Sequence, residues 1–420
     1  MQNAYVVYVL LMLRGLAGGC KDQDARLLLE ESLSVRLWLE SAGLELPPAS
    51  TLSDHLNAVS NATREFILQA QLRAVAAREL DDFKKCFIDS TGVEANSARP
   101  SDSTLLIKLL ERITAVGAQL HRLDLPDMDQ IGLAAQLRDL RAFSQSIVFL
   151  HGKGRAQSRR RKLYFQLIRR VRRLRQRLLR DFAPVRQHLD SCRDLLPSRR
   201  LAAEEIVGLL AADLAALGQA ADVCERRVMA EEKVPAPEKI VSLSDGDAAF
   251  IVKGGWESIL GYRPQLARSG AGFVTALAVP AGNAADSPQL VPMVRAQIAH
   301  TGMVPRQVSV DDGYSSQEGR EAVRALGVEI VSIGGAKGKK LIEPAQWQSQ
   351  PYRRARAERS AMESLIFTLK DGFEFGALMR RSREHAQAEL LEKVLAYNLT
   401  QLLRVQHRRE EAREPLAAAA

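Results

Sequence analysis

Residues 84–94 read Lys84-Lys85-Cys86-Phe87-Ile88-Asp89-Ser90-Thr91-Gly92-Val93-Glu94. The run Cys86-Phe87-Ile88 has strand composition, and Thr91 to Ala95 reads as a turn and a second short strand. The first strand ends on a carboxylate and two hydroxyls. A carboxylate at the end of a buried strand is costly unless something pairs with it. A metal ion is one such partner. Two later features extend the pattern: Val310-Asp311-Asp312-Gly313-Tyr314, again after an apolar run, and Glu363 in a helical segment.

Two-metal phosphoryl chemistry needs hard oxygen ligands. Aspartates at strand ends suit it, because a short side chain on a rigid strand is fixed in place. A glutamate on a helix packed against the sheet can reach in with its longer side chain. Each residue also has a plainer reading. Asp89-Ser90-Thr91 could be a turn, Asp311-Asp312-Gly313 could be the turn after a strand, and Glu363 could pair with its own helix neighbours. Their order and context together favour chemistry. Asp245, Asp247 and Asp286 rank below Asp89 as a first ligand, because turns and helix caps explain them adequately.

Working outward, residues 1–80 read as helices. The apolar run Tyr5–Leu13 is too short to span a bilayer and reads as a buried helix. A turn is expected at Pro47-Pro48. Thr51 with Asp54 resembles a cap opening one helix through Leu56, Val59, Phe66 and Leu68. Helix resumes from Ser101 or Asp102 to about Ala230. Within it, Lys153 to Arg180 has no acidic residue and is nearly half Lys and Arg. Leu163, Leu167, Val171, Leu174 and Leu178 make one apolar stripe along it. A linker-like break follows at Glu232–Pro237. Strands are then expected at 240–243, 249–252, 272–279, 307–310 and 329–333. Helices are expected at 286–300, 316–325, 356–369 and 382–406, with a frayed tail from Arg408. Gly334–Lys340 is rich in glycine and lysine but lacks P-loop spacing, and reads as a loop, phosphate-contacting or merely solvated.

The chain has 420 residues, long enough for two or three domains. A formal charge of +9 favours a polyanionic partner. Cys20, Cys86, Cys192 and Cys224 form no C-x-x-C pair. That pattern argues against a zinc ribbon and against a disulfide scaffold, and fits a reducing cytoplasm.

The stretch Phe87 to Leu106 resembles the first catalytic block of bacterial insertion-sequence transposases of the DDE type, an Asp-Ser/Thr-Thr box before a Pro-Thr/Ser-Asp-Ser-x-Leu-Leu motif. Lys239–Gly254 with Gly261-Tyr262 is similar to their next block, and Gly282-Asn283-x2-Asp286-Ser287 to the Gly-Asn-x-x-Asp that follows. Val310–Tyr314 resembles their second catalytic block, and Arg359-x3-Glu363-x6-Lys370 part of the third. Pro48–Ser53 is similar to a segment of their N-terminal helical domain. The chain departs from the pattern at Gly255, where the family has Lys, and at Arg356, where it has Tyr.

The resemblance implies an α/β ribonuclease-H-like catalytic core with a large all-helical insertion and an N-terminal helical domain. The corresponding segments are a DNA-binding domain at 1–80, first core strands at 81–100, a basic insertion at 101–235, the rest of the core at 236–375, and a C-terminal helix and tail at 376–420. It implies catalytic metal ligands at Asp89, Asp311 and Glu363, two Mg2+ or Mn2+ ions, and DNA contacts at Arg359 and Lys370. The basic stripe adds Arg169, Arg170, Arg172 and Arg173 as expected phosphate contacts. The expected function is DNA transposition by phosphodiester cleavage and strand transfer, in the bacterial cytoplasm at the nucleoid. The expected partner is double-stranded DNA, bound by a homodimer or larger assembly, with no membrane. The alternative is a non-catalytic DNA-binding protein descended from such an enzyme.

Overall fold

The strand read from Lys85 onward lies at the centre of a sheet. The computed structural model describes residues 2–44, 48–97, 101–123, 125–126, 128, 130–191, 196–235, 238–253 and 257–417. Pro47, Cys192 and Pro237 lie outside the described residues. The chain divides into two compact units, residues 1–96 with 247–420, and residues 97–246. The N-terminal helices therefore share a unit with the sheet.

The first unit opens with α1 (Gln2–Leu16), α2 (Asp22–Glu31), α3 (Leu33–Ser41), α4 (Ala49–Ala58) and α5 (Asn61–Ala77), then β1 (Lys85–Ser90) and β2 (Val93–Glu94). Val6, Leu10 and Leu11 of α1 are buried, as its apolar run requires. The single helix expected from Thr51 through Leu68 is two. α4 ends at Ala58, and the Ser60 hydroxyl accepts from Thr63 N at 3.1 Å, so a local cap starts a new helix.

The second unit contains α6 (Asp102–Gly117), α7 (Gln130–Val148), α8 (Arg155–Ser191) and α9 (Pro197–Val228). Ser101 caps α6 by accepting from Thr104 N at 3.2 Å. The 37 residues of α8 bury Leu167, Val171, Leu174 and Leu178, the stripe expected from spacing, against α9. By length and composition α9 could cross a membrane, but here its apolar residues, Leu210, Leu214 and Leu217 among them, fill the core of this unit.

The strand expected at 240–243 does not form. Ser242 Oγ accepts from the amides of Ser244 and Asp245, both at 3.1 Å, which holds a turn, while Ile240 and Leu243 pack on the helical core.

The first unit resumes with β3 (Ala249–Lys253), β4 (Glu257–Tyr262), β5 (Gln265–Ser269), β6 (Val274–Ala278), α10 (Leu290–Thr301), β7 (Gln307–Val310), α11 (Gln317–Ala325) and β8 (Ile330–Ile333). It closes with α12 (Gly335–Leu341), α13 (Pro344–Gln348), α14 (Gln350–Glu358), α15 (Ser360–Gly372) and α16 (Arg383–Ala417). Two expectations change here. Gly334–Lys340 is largely helix α12, not a loop. The tail expected to fray after Arg408 continues α16 to Ala417.

The five-stranded sheet has the order β6-β5-β1-β7-β8. β1, β7 and β8 are parallel, while β5 and β6 run antiparallel to their neighbours. Cys86 and Ile88 of β1 face a core shared with Val294 of α10 and Val323 of α11. Phe87 and Asp89 point to the other face by strand alternation. A separate sheet, β2-β4-β3, is antiparallel.

α1, α5 and α16 are tied by a buried ion cluster. Arg14 grips both Glu392 carboxylate oxygens at 2.8 and 2.6 Å, and Arg64 Nε reaches Oε1 at 2.9 Å. Gly15 permits the approach: a Cβ there would stand 2.3 Å from the Glu392 carbonyl oxygen.

Candidate active site

The parallel register of β1 and β7 pairs Lys85 with Gln307 and Phe87 with Ser309. Two residues further along both strands come Asp89 and Asp311. Two carboxylates over 200 residues apart in sequence, roughly the reach of a whole domain, thus end adjacent strands at the same level. Asp89 Oδ1 accepts from Ser90 N at 2.8 Å, and Asp311 Oδ1 from Gly313 N at 2.9 Å. Burial pushes the Asp89 carboxyl up to about 6, and the charges of Asp311 and Asp286 add to that rise. The Ser90 amide and Arg359 oppose it.

Asp312, the next residue, does a different job. Its Oδ1 accepts from Lys337 N and Gly338 N, both at 2.9 Å, at the start of α12. Those hydrogen bonds, Gly338 foremost, act with the Ser315 hydroxyl and Lys337 to hold its carboxyl below the usual range. Asp311 is therefore the member of the pair that faces Asp89.

Glu363 lies in the first turn of α15 and is 63% exposed. Arg359, at the break between α14 and α15, links it to the strand-end acid. One guanidinium nitrogen donates to Glu363 Oε1 at 2.8 Å, and another lies 3.7 Å from Asp89 Oδ2. The structure thus strings Asp89, Arg359 and Glu363 together with the cation in the middle. Lys370, two turns on, donates to the Gly92 carbonyl at 3.0 Å and so braces the loop after β1. Arg356, at the family's Tyr position, stacks over the Trp347 ring with its guanidinium carbon 3.9 Å from the centroid.

The residue most undervalued in the sequence is Asp286. It is buried, and both its oxygens are held: Arg263 donates to Oδ2, and Gln265 Nε2 to Oδ1 at 3.0 Å. Arg263 Nε also donates to Ser90 Oγ at 3.0 Å, and the Tyr314 hydroxyl donates to Gln265 Oε1. Gly313 separates two of the acids: a Cβ there would stand 2.8 Å from Asp286 Oδ2 and 3.0 Å from Asp311 Oδ1. Asp286, Arg263, Gln265 and Tyr314 form a polar bed that fixes the residues on either side of the acid pair. The Gly-Asn-x-x-Asp spacing was the only signal for it in the sequence. Arg263 and Gln265 carried none.

The donors at the strand ends are hard oxygens, and Asp89 is a largely buried carboxyl with the charges of Asp311 and Asp286 nearby. That chemistry suits a divalent cation. Among the described residues, no three acidic, imidazole or thiol side chains stand close enough together to hold a metal ion as they are placed here, and Glu363 is turned to Arg359.

Residues 233–399 match the family model for a transposase DDE domain. No curated protein and no solved structure matches significantly. The DDE domain includes Asp286, Asp311 and Glu363. Asp89 lies upstream of the match and joins through strand pairing. A DDE domain implies a ribonuclease-H-like fold, and the mixed sheet with flanking helices is compatible with it.

The arginines expected to track DNA lie on α8, in the second unit. Arg169 and Arg173 are exposed. Arg170 lies over the Phe143 ring with its guanidinium carbon 4.8 Å from the centroid. Arg172 is committed elsewhere, to Asp222 and Glu225 of α9, both at 2.6 Å.

Proposed function

We propose that this chain is a DNA transposase that hydrolyses a phosphodiester at an element end and joins the freed 3′-hydroxyl to target DNA. The observation that carries the proposal is the level pairing of Asp89 and Asp311 on β1 and β7, with Glu363 reached through Arg359. In the first step water adds to phosphorus and the 3′-oxygen leaves with a proton. In the second, that 3′-hydroxyl displaces a 3′-oxygen of the target, so the number of phosphodiester bonds is conserved.

Asp89, Asp311 and Glu363 would hold Mg2+ or Mn2+, two ions by the family pattern. When bound, such ions supply charge neutralisation and activation of the attacking oxygen. The chain's own contributions are positional. Asp286, Arg263 and Gln265 fix Ser90 and Tyr314, and through them the ends of β1 and β7. Arg359, released from Asp89, becomes available to a phosphate oxygen while Glu363 turns inward. Lys370 keeps the β1–β2 loop in place beneath the substrate. Arg169, Arg170 and Arg173 contact phosphates, and the proposed setting is the bacterial cytoplasm with two or more copies on DNA.

A nicking assay on supercoiled DNA with Mg2+ tests the proposal. Wild-type protein is expected to nick, and Asp89→Ala, Asp311→Ala and Glu363→Ala to lose at least a hundredfold in rate, the scale of electrostatic catalytic groups. Equal nicking by all four proteins would sink the enzymatic reading. DNA binding without nicking by wild type would favour the non-catalytic alternative, for which the present Asp89–Arg359–Glu363 chain is the supporting observation.

A further inference from the structure

A groove of about 500 Å3 runs between α15 and α16 on the Asp89 face of the sheet. Its floor holds Arg268 of β5, which pairs with Phe87 across the sheet. The Arg268 guanidinium carbon stands 5.7 Å from the centre of the Phe87 ring. Arg268 is half-buried, and burial pushes its pKa down. Among the described residues it has neither a hydrogen bond nor an ion pair. The charge of Asp81 offsets that burial only in part, and a partly buried guanidinium with no hydrogen-bond acceptor has its fork of donors open to a planar anion.

The walls extend the same chemistry. Arg404 and Arg408 of α16 line the groove one turn apart, about 6 Å along the helix axis. Both are exposed, and among the described residues neither is paired with a carboxylate, Arg408 Nε donating instead to the Arg404 carbonyl at 3.3 Å. The one acidic lining residue, Glu411, lies 3.8 Å from His407. The facing wall is α15, the helix that carries Glu363, through Ser364 and Thr368. Phe87, beneath Arg268, is two residues before Asp89 on the same strand face, about 7 Å away along β1. The groove therefore begins beside the acid site and leads away from it between two helices.

We propose that this groove binds the phosphodiester backbone of DNA flanking the reacting phosphate, with Arg268 gripping the nearest phosphate and Arg404 and Arg408 the next ones. The proposal rests on the transposase reading. It adds a substrate track on the first unit, separate from the arginines of α8.

Fluorescence anisotropy of the full chain with a mixed-sequence DNA duplex, titrated at several salt concentrations, tests it. Each phosphate contact adds about 0.9 to the slope of log affinity against log salt. The double variant Arg404→Gln/Arg408→Gln, at exposed positions where folding is not at stake, is expected to lower the slope by about 1.8, so that wild type loses about twelvefold more affinity than the variant between about 50 and 200 mM salt. Arg268→Gln is expected to lower it further. Arg409→Gln removes a charge from another side of α16, where Arg409 bonds the Arg78 carbonyl at 2.9 Å, and is expected to leave the slope unchanged. An unchanged slope in the double variant overturns the groove while leaving the transposase reading intact, as does an equal fall per charge in Arg409→Gln. No DNA binding by wild type at any salt overturns both.

Discussion

At the scale of single residues, Asp89 is an acid whose position costs stability in the free protein. Its folded pKa, about 6, is raised above the ordinary 3.8. Between those values the folded state holds the proton more tightly than the unfolded chain, so stability falls as pH rises through this window. The deficit is complete above about pH 6 and amounts to at most about 3 kcal/mol. Asp89→Asn is therefore expected to melt higher than wild type at pH 7 in a chelator, with the two converging near pH 4. Thermal melts across that range check this, and a variant that melts lower at pH 7 would contradict it. Gly313→Ala makes a second test, since its methyl would press between Asp286 and Asp311. It is expected to lose most nicking activity while the fold survives, as read by circular dichroism. Asp89 and Asp311 were legible in the sequence because each ends an apolar run. Arg263 and Gln265 were not, because their role depends on the strand that carries them.

That strand, β5, is the main omission at the scale of elements. Gln265-Leu266-Ala267-Arg268-Ser269 lacks the β-branched and aromatic residues that announce strands. It forms because β1 and β6 flank it and bury it, polar side chains included. The same tertiary override turned Gly334–Lys340 into α12, whose start is held by Asp312 from the loop after β7. The parallel pair β7 and β8 with α11 between them was legible, since alternating strand and helix periods announce such a unit. The break between α4 and α5 rests on one hydroxyl. Ser60→Ala is expected to cost about 1 kcal/mol, measurable by urea unfolding, and a cost near zero would show that packing alone sets the break.

For the whole molecule, charge has to be sorted by partner before it can be read as function. The net charge of +9 and the basic run on α8 both pointed to a polyanion, but sequence could not say which arginines are already occupied. Arg172 bridges two acids of α9. Arg169→Gln and Arg173→Gln are expected to lower the salt slope of DNA binding by about 0.9 each, whereas Arg172→Gln leaves it unchanged. A fall in all three would mean that the α9 acids release Arg172 to DNA. The division into two units was half legible. The helical stretch from Ser101 was plain, but residues 240–243, expected as a core strand, form no strand and lie at the end of the second unit.

Whether the acids at the ends of β1 and β7 share a metal with Glu363 is decided most directly by Mn2+ titration of the DNA-free protein, followed by electron paramagnetic resonance. Wild type is expected to bind Mn2+, with Asp89→Asn and Asp311→Asn each abolishing the tight site and Glu363→Gln weakening it at least tenfold. Mn2+ binding that is the same in wild type and all three variants would contradict a shared site.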